Sequence, residues 1–162
     1  MEKGKRTILL SSTILIAIIL VGVPLLILGY VYNIVIPPDP SIFLLGLFAA
    51  AEEIPKLLLA VLLVWLFRPT NDKILFLVPI GITLGYGIAE RIFIAVREIA
   101  AGIFSVESLI FFPFPVALHT LTGIILWKFA LLKRKYWIAL GMNIAIHLFY
   151  NLAIYNILAW GF

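Results

Sequence analysis

The sequence predicts an all-α fold, a polytopic membrane helix bundle of about five transmembrane helices with a cytoplasmic N-terminus. Three observations carry this. Hydrophobic residues make up 64% of the 162 residues and charged ones only 12%, against roughly 25% charged in an ordinary soluble domain. The apolar residues fall in five segments, each with the ~20 residues that a spanning helix needs. Lysine and arginine gather in alternate breaks between those segments.

The first segment, about 7–32, follows the basic start "MEKGKR". Its apolar run exceeds the roughly 7–15 residues of a signal h-region and no A-x-A-like site follows, so it is expected to stay as a helix. "PPDP" at 37–40 ends it. The second segment, 41–67, carries Pro55 beside Glu52 and Glu53. Proline lacks an N–H and crowds the carbonyl of Ala51, so a kink is expected there. After "RPTND" (68–72) comes the third segment, 74–98, where Gly81, Gly85 and Gly87 permit close helix approach. A weakly polar stretch around Glu107 leads to the fourth, 108–131, in which Pro113 and Pro115 make 103–114 a candidate re-entrant or interfacial piece. "KRK" (133–135) precedes the fifth, 136–160. There is no internal repeat, low-complexity tract or linker, so residues 1–162 read as a single integral membrane domain.

Orientation follows from charge. Lys3, Lys5, Arg6, Arg68, Lys73, Lys128, Lys133, Arg134 and Lys135 fall on one side of a five-helix arrangement. Asp39, Glu107, the Arg97/Glu98 pair and an uncharged C-terminus fall on the other. The positive-inside rule places the first side in the cytoplasm. Membrane topology thereby accounts for the net charge of +4, and no nucleic-acid partner is expected. The absence of cysteine removes disulfides, thiol catalysis and cysteine metal sites together.

The unusual feature lies inside the apolar segments. A charge near the bilayer centre costs on the order of 2.5–3.5 kcal/mol even on a lenient scale, yet several are present. At ~1.5 Å rise per residue, Glu52 lies about 16 Å from the outer face, Glu90 about 12 Å, His119 about 16 Å, His147 about 20 Å and Asn151 about 14 Å. Four helices thus place ionisable or amide groups in one middle layer. Glu52 and Lys56 are spaced i,i+4 and can neutralise each other. Tyr86 and Glu90 share a face, and Asn143, His147, Asn151 and Tyr155 form a stripe along the last helix. Interhelical hydrogen bonding or charge pairing accounts for Asn143, Tyr155, Arg91 and Lys56 taken singly. Three acids and two histidines together exceed what helix association needs.

Acids with imidazoles at mid-depth fit proton or ion transport, metal binding, or hydrolysis within the membrane. Among hydrolytic strategies, a twin-aspartate centre fails because Asp39 and Asp72 both lie in loops. No H-E-x-x-H is present. Ser11, Ser12, Ser41, Ser105 and Ser108 all sit near segment ends, which disfavours a serine–histidine machine. A glutamate base working with histidine and amide donors remains. A His₂Glu-like zinc set drawn from Glu52 or Glu53 with Glu90, His119 and His147 is the metal alternative.

"AEEIPK" (Glu52-Glu53-x-x-Lys56), "YGIAE" (Tyr86-x-x-x-Glu90), "LHTLTG" around His119 and "HLFYN" (His147-x-x-x-Asn151) resemble the motifs of PrsW-type intramembrane proteases. These are distant relatives of the type II CAAX prenyl endopeptidases. The resemblance runs in order from 52 to 151 and leaves out only the first helix. The prenyl endopeptidases have an arginine one position further along in the first motif, and a histidine where this chain has Glu90. Tyr86 stands where phenylalanine is usual, and the chain is short for the branch.

The resemblance implies an intramembrane endopeptidase with catalytic residues Glu52, Glu53, Glu90, His119, His147 and Asn151, supported by Lys56 and Tyr86. Glu52 would be the general base that activates water, and His119 would orient that water or shuttle its proton. His147 and Asn151 would donate to the oxyanion, while Glu90 would hold a histidine tautomer or bind Lys56. It implies no cofactor; a zinc-dependent variant would use Glu52, Glu90, His119 and His147. The expected partners are the lipid bilayer and a membrane-spanning protein substrate, and the expected location is the plasma membrane of a prokaryote. A small proton- or cation-coupled transporter using the same Glu/His layer is the competing reading, disfavoured by an odd helix count without inverted repeats.

Overall fold

The computed structural model describes residues 41–68, 72–100 and 113–159, with Ser12 and Gly102 besides. The predicted first helix (7–32), the basic N-terminus and most of the 103–114 segment lie outside these residues. Among the described residues there are four long helices and no strand. They are α1 (Ile42–Phe67), α2 (Asp72–Ala100), α3 (Pro113–Ile125) and α4 (Tyr136–Ala159), with α3 running directly into a π-wound stretch, Leu126–Leu132. These correspond to the second through fifth predicted segments.

Local chemistry sets the ends. Ser41 caps α1, its hydroxyl accepting from the Leu44 N–H at 3.2 Å, which satisfies one of the free donors of the first turn. At the other end Arg68 turns left-handed (φ 41°) and its N–H bonds the Val64 carbonyl at 2.9 Å, a 5→1 stop. Arg134 is also left-handed (φ 52°), and the Lys135 N–H reaches the Phe129 carbonyl at 2.8 Å. That bond spans one residue more than the usual 6→1 closure, as the wider π winding requires.

The packing is inverted relative to a water-soluble bundle. Glu53, Lys56, His119 and Asn143 are fully buried, whereas Phe43, Phe149 and Trp137 are 75%, 72% and 84% exposed. Exposed apolar belts of this kind mark surfaces that meet something other than water. Among the described residues, three stretches are long and apolar enough to cross a membrane: Leu75–Ala100, Pro113–Leu132 and Tyr136–Ile154. Helix α1, at 26 residues, is of similar length, about 39 Å, but carries Glu52, Glu53 and Lys56 at mid-length.

Two apolar clusters stand beside those charges. Ala60, Leu63, Val78, Ile82 and Tyr86 join α1 to α2. Leu57, Ile125, Leu126, Ala130 and Ala139 join α1, α3, the π stretch and α4. Nearly all belong to the halves of the helices nearest Arg68 and Lys133–Lys135. Helices α2 and α3 approach closely at two glycines. A Cβ on Gly87 would stand 3.0 Å from the Val116 Cα and 3.1 Å from His119 Cδ2, and one on Gly123 would overlap Thr83 Oγ1. Those missing side chains let α3 bring His119 against α2.

Candidate active site

Glu53 is the anchor of the polar centre. Its Oε1 accepts from Lys56 Nζ at 2.6 Å and from His147 Nδ1 at 2.9 Å, and its Oε2 accepts from Asn143 Nδ2 at 3.3 Å. Asn143 Nδ2 also donates to the Thr122 carbonyl at 3.2 Å, so one carboxylate links α1 to α4 and, through Asn143, to α3. Buried carboxylates are tolerated when paired and hydrogen-bonded in this way.

The second chain of contacts has a direction. Lys56 Nζ lies 2.9 Å from His119 Nδ1, and His119 Nε2 lies 2.7 Å from Glu90 Oε2. An ammonium has protons and no acceptor, so Nδ1 takes the proton of Lys56 as a hydrogen bond. The ring proton of His119 then sits on Nε2 and is donated to Glu90. The network itself assigns this tautomer. Beneath it, the Tyr86 ring presents its face to Lys56 at 4.3 Å, a cation–π contact.

Glu52 differs from its neighbour. Its Oε2 lies 3.7 Å from His147 Nε2 and 4.0 Å from Lys56 Nζ, both beyond hydrogen-bonding range. That buried oxygen has no hydrogen-bond partner among the described residues. The i,i+4 spacing pairs Lys56 with Glu52, and that ion pair is present at 4.0 Å, but the ammonium's closer partner is Glu53 at 2.6 Å, one residue nearer in sequence. Burial explains the choice. Glu53 and Lys56 occupy the fully enclosed face of α1, while the Glu52 side chain keeps 18% exposure at its edge and Glu90, on α2, keeps 20%.

The structure therefore brings together Glu52, Glu53, Lys56, Tyr86, Glu90, His119 and His147 from four helices. His119 and His147 stand edge to face, their ring centres 5.4 Å apart. Asn151 is half-buried one turn beyond His147, and none of the hydrogen bonds above reaches it. The side chain of Tyr155 lies outside the described residues. Asn143 is a participant that the motifs leave out, and Thr122, though within "LHTLTG", takes part through its backbone carbonyl. The signal for Asn143 is its place one turn before His147 on the polar stripe; the Thr122 carbonyl has no side-chain signal.

Among the described residues, two groups have donor atoms within 4.8 Å of one another, Glu53–His119–His147 and Glu52–Glu90–His119. The set expected from sequence (Glu52, Glu90, His119, His147) straddles both, with His119 common to them. Chemically the centre can hold a proton, a cation or a polarised water between carboxylates and imidazoles. Comparison of the chain with protein-family models, curated proteins and solved structures finds no match.

Proposed function

We propose that the protein is an intramembrane endopeptidase in which a glutamate activates water to hydrolyse a peptide bond in or near the transmembrane segment of another membrane protein. The observation that carries this reading is the contrast within the glutamate pair. Glu53 is saturated by Lys56, His147 and Asn143, whereas Glu52 has a buried oxygen without a hydrogen-bond partner among the described residues, 3.7 Å from an imidazole nitrogen. A base must offer such an oxygen within reach of the proton it takes. The resemblance of the four motifs to PrsW-type proteases supports the same reading.

In this mechanism Glu52 accepts a proton from water as the oxygen attacks the scissile carbonyl. His147, held through Nδ1 by Glu53, presents Nε2 to the same space; when that nitrogen is protonated it donates to the oxyanion and then to the leaving amine. Asn151, one turn further on, adds an amide donor. Glu90 fixes His119 and His119 fixes Lys56, keeping Glu53 in place. The protein spans the bilayer five times with a cytoplasmic N-terminus in the plasma membrane of a prokaryote. Its partners are the surrounding lipid and a membrane-spanning substrate protein.

Glu52→Gln tests the proposal. It keeps shape and a hydrogen-bonding amide but removes the proton acceptor, so cleavage of a membrane-protein substrate in proteoliposomes falls by about 10²–10⁴, the usual contribution of a general base. His147→Ala and Asn151→Ala each lose roughly 10²–10³ if they serve the oxyanion. The continuous Lys56–His119–Glu90 chain also suits a proton relay, the feature in favour of coupled transport. Near-normal cleavage by Glu52→Gln, with loss of proton-coupled flux, would establish that second reading instead.

A further inference from the structure

We infer that the Lys56 ammonium is the resident cation of a Glu/His donor set, and that it closes the centre to divalent transition metals which the same side chains would otherwise bind. Lys56 Nζ lies 2.6 Å from Glu53 Oε1 and 2.9 Å from His119 Nδ1, and His147 Nδ1 contacts the same Glu53 oxygen at 2.9 Å. Glu53, His119 and His147 form one of the two groups with metal-ligand spacing. Two carboxylate or imidazole atoms of that group already hold the ammonium as they would hold a metal ion. The aromatic face of Tyr86 at 4.3 Å covers a further side of it.

The closure extends to the second group. Glu52, Glu90 and His119 would use the Nε2 of His119, since Nε2 is the atom facing Glu90 at 2.7 Å. A neutral imidazole has one lone pair and one N–H. The ammonium takes the lone pair at Nδ1, so the proton is on Nε2, and a protonated nitrogen does not ligate. Freeing Nε2 while Nδ1 still accepts from Lys56 would require an imidazolate. One ammonium therefore blocks both donor sets, the first by occupying it and the second through the tautomer of the histidine they share.

Removing the ammonium uncovers two imidazoles and a carboxylate, a donor set suited to Zn²⁺ or Co²⁺ with a remaining position for water. A unit charge a few Å away at an effective dielectric near 20 accounts for more than two decades of affinity. The gain in affinity on removing Lys56 is therefore expected to be roughly 10²-fold or more. The inference concerns cation binding alone and stands whether or not the centre hydrolyses peptides.

The test is a Co²⁺ titration of chelator-treated protein in detergent micelles, read by the visible absorption of tetrahedral cobalt and by metal analysis after gel filtration. Wild type and Lys56→Arg, which keeps a cation, are expected to show no saturable site at the centre. Lys56→Ala and the better-packed Lys56→Met are expected to bind one Co²⁺ per chain, and adding His119→Ala to either is expected to abolish that site. Stoichiometric binding by wild type that His119→Ala removes would overturn the inference. So would a Lys56→Met protein of unchanged helicity that binds no metal. The wild-type arm decides even where a variant does not fold.

Discussion

Glu52 and Glu53 are adjacent, identical in chemistry and opposite in circumstance. Glu53 neutralises Lys56 and accepts from His147 and Asn143, so it acts as the charged keystone between helices. Breaking a buried pair by removing one partner costs about 3–5 kcal/mol, because the other charge is left uncompensated. Glu53→Gln is therefore expected to lower stability by that order, strand the Lys56 ammonium and loosen His147. Glu52→Gln removes no hydrogen bond from Oε2 and is expected to cost about 1 kcal/mol or less. Unfolding followed by helicity in mixed micelles checks the pair. Equal losses in the two variants would contradict the division of labour. Sequence spacing alone found only the looser pair: the i,i+4 relation matched Lys56 with Glu52, which stands at 4.0 Å, while Glu53 holds the ammonium at 2.6 Å. Helical periodicity says which residues share a face, but at i+3 and i+4 it offers two partners, and burial against α3 and α4 chose between them.

Elements are legible where they repeat and opaque where they touch. The long apolar runs gave α1 to α4 their place, and mid-depth counting along each run put Glu52, Glu90, His119, His147 and Asn151 in one layer; the contacts gather the first four, and Asn151 lies one turn beyond His147. The π-wound Leu126–Leu132 has no counterpart in the pattern, because apolar residues tolerate either winding and the extra residue is absorbed at the Arg134 turn. Glycine was visible as a small residue, but which glycine mattered depended on the helix opposite. A Cβ on Gly87 would come against the α3 backbone and His119; Gly123, on α3 itself, faces Thr83. Thr83 Oγ1 is held by the Pro79 carbonyl at 2.9 Å and cannot swing away freely. Gly123→Ala is expected to cost about 1–3 kcal/mol through overpacking. Thr83→Ala, which removes the obstructing hydroxyl, is expected to recover part of that loss in the double variant. Thermal unfolding of the two single variants and the double variant measures the coupling; strict additivity would show that α2 and α3 do not meet there as described.

For the molecule as a whole, polar burial and apolar exposure point to membrane surroundings, and charge supplies the expectation of which way it faces them. Trp137, Phe149 and Phe43 project outward while the ionisable groups turn in, an arrangement that lipid stabilises and water would not. The break between α1 and α2 carries Arg68 and Lys73, and the break between α3 and α4 carries Lys133, Arg134 and Lys135. A short link between long helices returns the chain antiparallel, so these two basic breaks share a side, and the Gly102 end of α2 lies opposite. The two apolar clusters fill the bundle between the polar centre and the basic side, so in the proposed mechanism water and substrate reach Glu52 from the other half or laterally. On the orientation proposed above, the positive-inside rule places the basic breaks in the cytoplasm. Reporter fusions after Arg68 and Arg134 are expected to report a cytoplasmic location, and those after Gly102 and Phe162 the outside. Replacing Lys133, Arg134 and Lys135 with glutamine removes much of the bias and is expected to give mixed orientation of the C-terminal fusion. A cytoplasmic Phe162 reporter on the unaltered chain would sink the orientation, and with it the expectation that Glu52 is reached from the outer half.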